Sequence, residues 1–194
     1  MNIWFTSDTH FSHSNISGSN ESKWKSGYRN FDSTHEMNKA LIAGINNNVK
    51  EDDVLYHCGD WSFGGRDKIW EFRKRLNVKT IHLIYGNHDN HIKENKVLPN
   101  CIRQEPYSQI LIDGNPNNFG VLEKGDGEYP NYVPAQELFT SCNDVLTVKH
   151  GKHTFFLSHY SHRIWLGSHK GIIHLYGHSH ASLESQPWGK SMDV

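Results

Sequence analysis

Residues 80–89 read TIHLIYGNHD, an apolar run that changes without a spacer into a small and polar tetrapeptide. The first six residues have the β-branched and aromatic composition of a buried strand. Gly86 then permits a tight turn off the strand, and Asn87, His88 and Asp89 follow at once. In open α/β sheets, ligands bind in the crevice beyond the carboxyl ends of the strands. This decapeptide therefore predicts a strand that delivers polar side chains to a binding site.

Four further segments repeat this arrangement of a short apolar run followed by Asp or His. They predict strands over 2–6, 54–58, 153–158 and 171–176. Burial of isolated polar groups at such positions would be costly. Binding to a cation would compensate this cost for each of its ligands. Together with Asn87, the side chains delivered in this way are Asp8, His10, Asp60, His159, His178 and His180.

Helical patterns alternate with these strands and predict an α/β fold. Residues 33–36 form a capping box, and apolar residues recur at helical spacing over 37–49. Residues 67–76 present a second helical face. Residues 113–135 are rich in Gly, Asn and Pro and lack periodicity, which predicts a surface excursion from a single domain spanning 1–194.

The composition excludes several classes of protein. Lys and Arg number 20 against 21 Asp and Glu, so no global basic field attracts duplex nucleic acid or an anionic membrane. The three cysteines form no C-x-x-C pair, which argues against a disulfide framework and a thiolate zinc site. No apolar run is long enough to span a bilayer, and the N-terminus, MNIWFTSDTH, turns polar too early for a signal peptide. We therefore expect a cytoplasmic protein without a membrane partner, and the last residues, MDV, begin like one more strand.

The residue types at the strand ends indicate metal ions. There are 15 histidines in 194 residues, several times the ordinary usage, and imidazole nitrogen combined with Asp and Asn oxygen suits Mn, Fe, Zn or Co. The pairs Asp8-x-His10 and His178-x-His180 have the spacing at which both side chains lean to the same side of an extended segment. Asp60 has two oxygens and can bridge two cations about 3.5–4 Å apart, the separation of two-metal phosphoryl-transfer sites.

The same residues carry a resemblance to the calcineurin-like metallophosphoesterases. The matching motifs are D-x-H at 8–10, G-D at 59–60, G-N-H-D at 86–89, a lone His159 and G-H-x-H at 177–180. The segment DTHFSHSNI at 8–16 is similar to the start, D-T-H-F-x-H-x-N-I, of a small bacterial and phage subgroup. The resemblance covers most of residues 2–89 and 155–181.

This resemblance implies a fold and a set of roles. The fold would be a four-layer α/β/β/α sandwich of the metallo-dependent phosphatase type, with two mixed sheets flanked by helices. Two divalent metal ions would activate a hydroxide that attacks a phosphomonoester or phosphodiester, with His88 as general acid and Asp89 orienting it. The first metal would be held by Asp8, His10 and His180, the second by Asn87, His159 and His178, with Asp60 bridging them.

Further residues are candidates for substrate contact. His13 and Asn15 either face the substrate or cap their own loop. Arg29 is the best candidate for a bidentate phosphate contact, and its alternative is a solvated surface residue. His162 and Arg163, which follow the lone ligand histidine, are expected to line the crevice. A short loop repertoire favours a small or single-ended phosphoester, including a nucleotide or a nucleic-acid end, and no protein partner is implied.

Two other classes of function compete with a phosphoesterase. A catalytically silent protein-binding module on the same fold would be expected to lack His88 or several ligands, and all of them are present. A metallopeptidase or lactonase could use a similar cage, but the Gly-Asn-His-Asp motif with a non-ligand histidine argues against it.

Overall fold

A computed structural model of the protein describes residues 1–104, 109–111, 132–183 and 189–194. The α-helices are α1 (Ser14–Ser17), α2 (Thr34–Asn48), α3 (Arg66–Lys74) and α4 (Asn90–Lys93), and 3-10 helices span Ala135–Leu138 and Ser168–Lys170. The strands are β1 (Ile3–Thr6), β2 (Val54–His57), β3 (Thr80–Ile84), β4 (Val97–Gln104), β5 (Gln109–Leu111), β6 (Tyr132–Pro134), β7 (Ser141–Asn143), β8 (Val145–His150), β9 (His153–Ser158), β10 (Ile173–Tyr176) and β11 (Ser191–Asp193).

Two four-stranded sheets form the centre of the domain. The first has the order β1-β2-β3-β7, and its pairings are all parallel. The second has the order β11-β10-β9-β8 and is mixed, because β8 and β9 form an antiparallel hairpin beside the parallel pairs of β10. A small antiparallel sheet, β5-β4-β6, is hydrogen-bonded to neither of them, but its buried Leu98 and Val133 pack in the same core as the first sheet. The expectation of two mixed sheets is therefore corrected for the first: helical crossovers through α2 and α3 return the chain to each next strand in the same direction.

Each face of the first sheet packs against a different layer. On one face, Leu55 and Leu83 belong to a core cluster with Ile69 and Phe72 of α3. On the other face, the core contains Tyr56 together with residues of the second sheet such as Leu157 and Leu175. The predicted α/β sandwich with two packed sheets is thus confirmed. The outer face of the second sheet carries the buried Trp165 and the 3-10 helix that follows it, in the segment between β9 and β10.

The structure confirms the predicted helix cap and C-terminal strand but differs from the predicted surface excursion. Ser33 caps α2 as predicted, its hydroxyl accepting the backbone N–H of Glu36. The final residues do form a strand, β11, which pairs with β10. Most of the predicted surface excursion, residues 113–131, lies outside the described residues, but its end is not a surface loop: Val133 is buried in β6. Among the residues that the structure describes, none belongs to a helix both long and apolar enough to cross a membrane.

Candidate metal centre

The predicted metal ligands meet at one edge of the two packed sheets. Asp8 and His10 follow β1, Asp60 follows β2 and Asn87 follows β3. The remaining three ligands come from the second sheet, where they follow β9 and β10. Parallel strands bring their carboxyl ends to the same edge, which is why residues 170 positions apart in sequence come into contact here. The three ligands from the second sheet are His159, His178 and His180.

Asp8, His10 and His180 form the first group of ligand atoms. His180 Nε2 lies 3.4 Å from Asp8 Oδ1, and His10 Nε2 lies 3.6 Å from the same oxygen. The two Nε2 atoms are 3.2 Å apart. Ligands bound at about 2.0–2.2 Å to one cation lie roughly 3–3.5 Å from one another. The three atoms therefore have the spacing of a shared coordination shell.

Asp60, His159 and His178 form a second group, and Asn87 joins it. Asn87 Oδ1 lies 2.9 Å from His159 Nε2 and 3.0 Å from His178 Nδ1. His159 Nδ1 faces the carbonyl of Cys58 at 2.8 Å. If Nδ1 carries the proton and donates it to the carbonyl, Nε2 keeps a free lone pair. This is the tautomer that a ligand histidine needs.

The carboxylate of Asp60 lies between the two groups. Its Oδ2 is 3.5 Å from His10 Nε2 in the first group and 3.5 Å from His159 Nε2 in the second. Its Oδ1 accepts the backbone N–H of His88 at 2.9 Å. One oxygen facing both groups is the geometry of a bridging ligand.

The state of Asp8 tests whether cations fit this site. Its Oδ1 is buried and lacks any hydrogen-bond partner, while its Oδ2 accepts the backbone N–H of His178 at 2.8 Å. Burial raises the pKa of Asp8, but the polar contacts of His10 and His180 with its carboxylate outweigh burial and hold the pKa below its ordinary value. An ionised, buried oxygen that accepts no hydrogen bond is costly unless a cation compensates it. The donor set of carboxylate, amide and imidazole fits a transition-metal ion.

Backbone strain accompanies the ligands. A non-glycine residue in the left-handed region costs on the order of 1–3 kcal/mol and persists only where its surroundings demand it. Two glycines allow the loops to approach: a Cβ on Gly86 would lie 2.1 Å from Asp60 Oδ1, and one on Gly177 would lie 2.3 Å from Asp8 Oδ2. The ligands with positive φ are Asp8 (50°), His10 (47°), Asp60 (59°), His178 (67°) and His180 (47°).

Asp89 joins the loops that carry Asp60 and Asn87. Both oxygens of its buried carboxylate accept backbone N–H groups, from Asp60 at 2.8 Å, Trp61 at 2.9 Å and Gly86 at 2.8 Å. Burial raises its pKa to about 6. These oxygens hold the backbone of the two ligand loops together, and the orientation of His88 by Asp89 stays a prediction.

Arg29 is also committed to the backbone. Its guanidinium donates to the carbonyl of Thr9 at 3.1 Å and to that of Asp8. Burial lowers the pKa of this half-buried side chain. The fork of donors supports the strained loop that carries Asp8 and His10, and the expected phosphate contact stays a prediction.

Sequence reasoning missed His57, which supports the loops that follow β1 and β2. It is fully buried in β2, and burial lowers its pKa to about 3. Its Nε2 lies 2.9 Å from Thr9 Oγ1, and its Nδ1 accepts the backbone N–H of Gly59 at 3.2 Å. Because the Thr9 hydroxyl donates to the carbonyl of Trp61, it must accept from His57 Nε2–H. A histidine within an apolar strand gave no signal of this role.

His88 and His13 lie over the first ligand group. The exposed ring of His88 has its centroid 5.5 Å from that of His10 and 4.9 Å from that of Phe63. His13 is buried, stacks on Phe63 at 3.9 Å and places its Nδ1 3.3 Å from His10 Nδ1. Burial lowers the pKa of His13 to about 4. His13 thus contacts a predicted metal ligand and is buried, whereas His88 is exposed.

The other predicted substrate residues differ in position. Asn15 caps its loop, since its Oδ1 accepts the backbone N–H of Lys23 at 3.1 Å. His162 is exposed and lines a cleft beside His159. Arg163 is exposed as well, but it is not among the described residues that line either cleft.

Two clefts open beside the ligands. The first has a volume of about 300 Å³ and the second about 350 Å³. The first is lined by Ser62, Phe63, Gly64, Gly65, Ile69, Asn87, His88, Asp89, Asn90, His91 and Ile92. The second is lined by Tyr85, Gly86, Asn87, Asn90, Lys93, Asp144, Val145, Ser158, His159, Tyr160 and His162.

Comparisons with known proteins agree with this geometry. A model of the family described as calcineurin-like phosphoesterase matches residues 1–191. An uncharacterized protein of Methanocaldococcus jannaschii is 34% identical over 122 residues, which is 62% of this chain and 62% of that protein, less than two thirds of its length. A protein of unknown function from Aquifex aeolicus shares the fold at 19% identity, with a TM-score of 0.52 over 98% of this chain and 88% of that one. A structure described as a novel archaeal phosphodiesterase has a TM-score of 0.48 at 20% identity, over 100% of this chain and 82% of that one.

Proposed function

The chain belongs to the calcineurin-like phosphoesterase family, and from this membership and its ligand geometry we propose that it hydrolyses a phosphoester with the help of two divalent cations. The observation that carries the proposal is the position of Asp60 Oδ2, 3.5 Å from a histidine nitrogen of each ligand group. The buried Oδ1 of Asp8, which accepts no hydrogen bond, supports it, because a cation would compensate that charge.

Asp8, His10 and His180 would hold one cation, and Asn87, His159 and His178 the other, with Asp60 shared. Cations in such a pair make water nucleophilic near neutral pH and draw charge from the phosphoryl oxygens. Of the metals that this donor set suits, Mn, Fe, Zn and Co are the candidates.

His88 would supply the proton for the leaving group. Its backbone N–H is fixed on Asp60 Oδ1 at 2.9 Å, and its exposed ring lies beside both the first ligand group and the first cleft. An oxygen leaving toward that cleft would be within reach of the imidazole. Protonation by a positioned histidine contributes about 10²–10⁴-fold to rate.

Hydrolysis of 4-nitrophenyl phosphate and bis(4-nitrophenyl) phosphate by the chelated protein, with Mn, Zn, Co, Fe, Mg or no metal returned, tests the proposal. We expect activity to return with at least one transition metal and to be absent without metal. Retention of two metals per chain without cleavage of either ester would contradict the proposal and favour a binding function.

A further inference from the structure

The loop after β3 separates the two clefts. Asn87 and Asn90 line both clefts, so this loop forms their common wall. His88 lines the first cleft and His159 lines the second. Because the loop also carries Asn87 into the second ligand group, a phosphorus atom at the centre would have one cleft available on each side.

The first cleft has an aromatic wall beside the proton donor. Phe63 lines it and is stacked on His13 at 3.9 Å with an interplanar angle of 7°. His88 meets Phe63 edge-on, with centroids 4.9 Å apart. Gly64 and Gly65 also line this cleft and add no side chains to it. This cleft suits a flat leaving group whose ester oxygen lies beside His88.

The second cleft also has an aromatic wall, which rests on the ligand histidines. The Tyr160 ring packs edge-on against His159 at 4.9 Å and His178 at 4.7 Å, yet the residue is 49% exposed. Tyr85 forms another part of the wall, with Lys93 Nζ 5.4 Å above its ring. A half-exposed tyrosine fixed directly on the metal ligands offers its free surface to a substrate group rather than to the core.

The charge in the clefts distinguishes between classes of ester. Among the described residues lining them, Lys93 alone carries an ammonium or guanidinium group, and it is paired with Asp144. Arg29 is committed to backbone carbonyls. A phosphomonoester carries close to two negative charges near pH 7, whereas a diester carries one. Apart from the two proposed metal ions, the described lining residues offer no unpaired side-chain cation for a second negative charge, so the monoanion is the better match.

We propose that the substrate is a phosphodiester with a planar organic group on each side, one in the Phe63 cleft and one in the Tyr160 cleft. This inference rests on the proposed hydrolysis and specifies its substrate class. Water adds to phosphorus and releases one proton to solvent, while the bond to the oxygen in the Phe63 cleft breaks. That oxygen takes a proton from His88 and leaves as an alcohol. The group in the Tyr160 cleft remains on the product, which is a phosphomonoester.

A first experiment compares kcat/KM for bis(4-nitrophenyl) phosphate and 4-nitrophenyl phosphate in the metal-loaded protein and in Tyr160→Ala. We expect the diester to be preferred, and the preference to fall about tenfold in Tyr160→Ala because one ring loses its stacking surface. Leu166→Ala is the matched control, since Leu166 lies in the same segment, is 65% exposed and is not among the described lining residues. A monoester preference that Tyr160→Ala leaves unchanged would overturn the diester inference while leaving hydrolysis itself in place.

A second experiment does not depend on turnover. Diphenylphosphinate and methyl(phenyl)phosphinate carry the same charge, cannot be hydrolysed and differ in one ring, so calorimetric titration of the metal-loaded protein isolates the second cleft. We expect diphenylphosphinate to bind about tenfold more tightly, and Tyr160→Ala to abolish the difference. Equal affinities in the unmodified protein would overturn the inference. Failure of both 4-nitrophenyl esters to react, with the phosphinate difference intact, would contradict only the proposed hydrolysis.

Discussion

The Asp89 carboxylate accepts the backbone N–H of Asp60 at 2.8 Å, so one buried acid fixes the position of another. Asp60 faces both ligand groups with a single oxygen. Asp89 also accepts N–H groups of Trp61 and Gly86, and in this way it joins the loop after β2 to the loop after β3. The spacing of the two ligand groups therefore depends on a residue that belongs to neither.

Asp89→Asn should lower the affinity for metal while leaving the stability of the metal-free protein nearly unchanged. The amide replaces one acceptor oxygen with an NH₂ group, which opposes at least one of the three backbone N–H groups. Replacement of such outer partners typically costs about 10–100-fold in metal affinity, and we expect a loss of this size by competition with a chelator. Burial raises the pKa of Asp89 to about 6, which means that its buried negative charge destabilises the metal-free fold. Removal of this charge therefore offsets the loss of a hydrogen bond in the metal-free protein. Asp67→Asn, an exposed acid at the start of α3, is the control, and equal affinities in the two variants would contradict this role.

Arg29→Lys distinguishes support of the loop from binding of phosphate. A single ammonium cannot reproduce the fork that reaches the carbonyls of Asp8 and Thr9. We expect a loss of about 1–3 kcal/mol in the free energy of unfolding, with weaker metal binding and an unchanged KM at saturating metal. Arg66→Lys is the matched control, because Arg66 also donates to a backbone carbonyl, that of Val97, at an exposed position away from the ligands. A raised KM with unchanged stability would instead indicate that Arg29 contacts the phosphate of the substrate.

The position of the ligands was predictable because it follows from local features. An apolar run, a turn and a polar residue are visible in the sequence, and parallel strands bring such ends together wherever the chain lies between them. The capping box of α2 is equally local, since Ser33 and Glu36 are three residues apart. Local chemistry thus predicted an α/β fold and the seven residues that meet, whereas the two-sheet sandwich was implied by the family resemblance.

The supporting contacts were not predictable from these features. Arg29 and Asp8 are 21 residues apart and Asp89 and Asp60 are 29 apart, so a residue type at a given position does not reveal its partner. The left-handed backbone of Asp8 and Asp60 has no signature at a non-glycine residue. Two helices also escaped prediction, because α1 and α4 have four residues each and cannot show a helical period.

Buried His57 should make the stability of the metal-free protein depend on pH. Its pKa falls to about 3 in the folded state, below the ordinary value of about 6.5 that it regains on unfolding. Between these values the unfolded chain binds the proton and the folded chain does not, so stability is lost as the pH falls. The loss attributable to His57 is about 1.4 kcal/mol per pH unit well below pH 6.5. Urea unfolding between pH 6.5 and 5 should show a shallower slope in His57→Gln than in the exposed control His150→Gln, and equal slopes would contradict a neutral His57.

Asp60→Asn should impair both cation positions together. The amide presents at most one neutral oxygen, whereas the carboxylate offers Oδ2 to both groups and Oδ1 to the His88 N–H. We expect fewer than two metals per chain by elemental analysis after dialysis, together with loss of hydrolysis. His178→Ala is the comparison, because it removes a ligand of the second group alone and should leave the first group occupied. Full occupancy in Asp60→Asn would eliminate the bridging role.

His88→Ala should separate proton transfer from metal binding. The ring of His88 belongs to neither ligand group, and the backbone N–H that donates to Asp60 remains in the variant. We therefore expect unchanged metal content and a kcat lower by roughly a hundredfold or more for esters of poorly acidic alcohols. An ester of 4-nitrophenol should suffer much less, because that leaving group departs without a proton, and this contrast identifies His88 as the acid. His150→Ala, an exposed histidine on β8, provides the control. Equal losses for both leaving groups would show that His88 acts in some other way, and an unchanged kcat for both would remove it from the reaction.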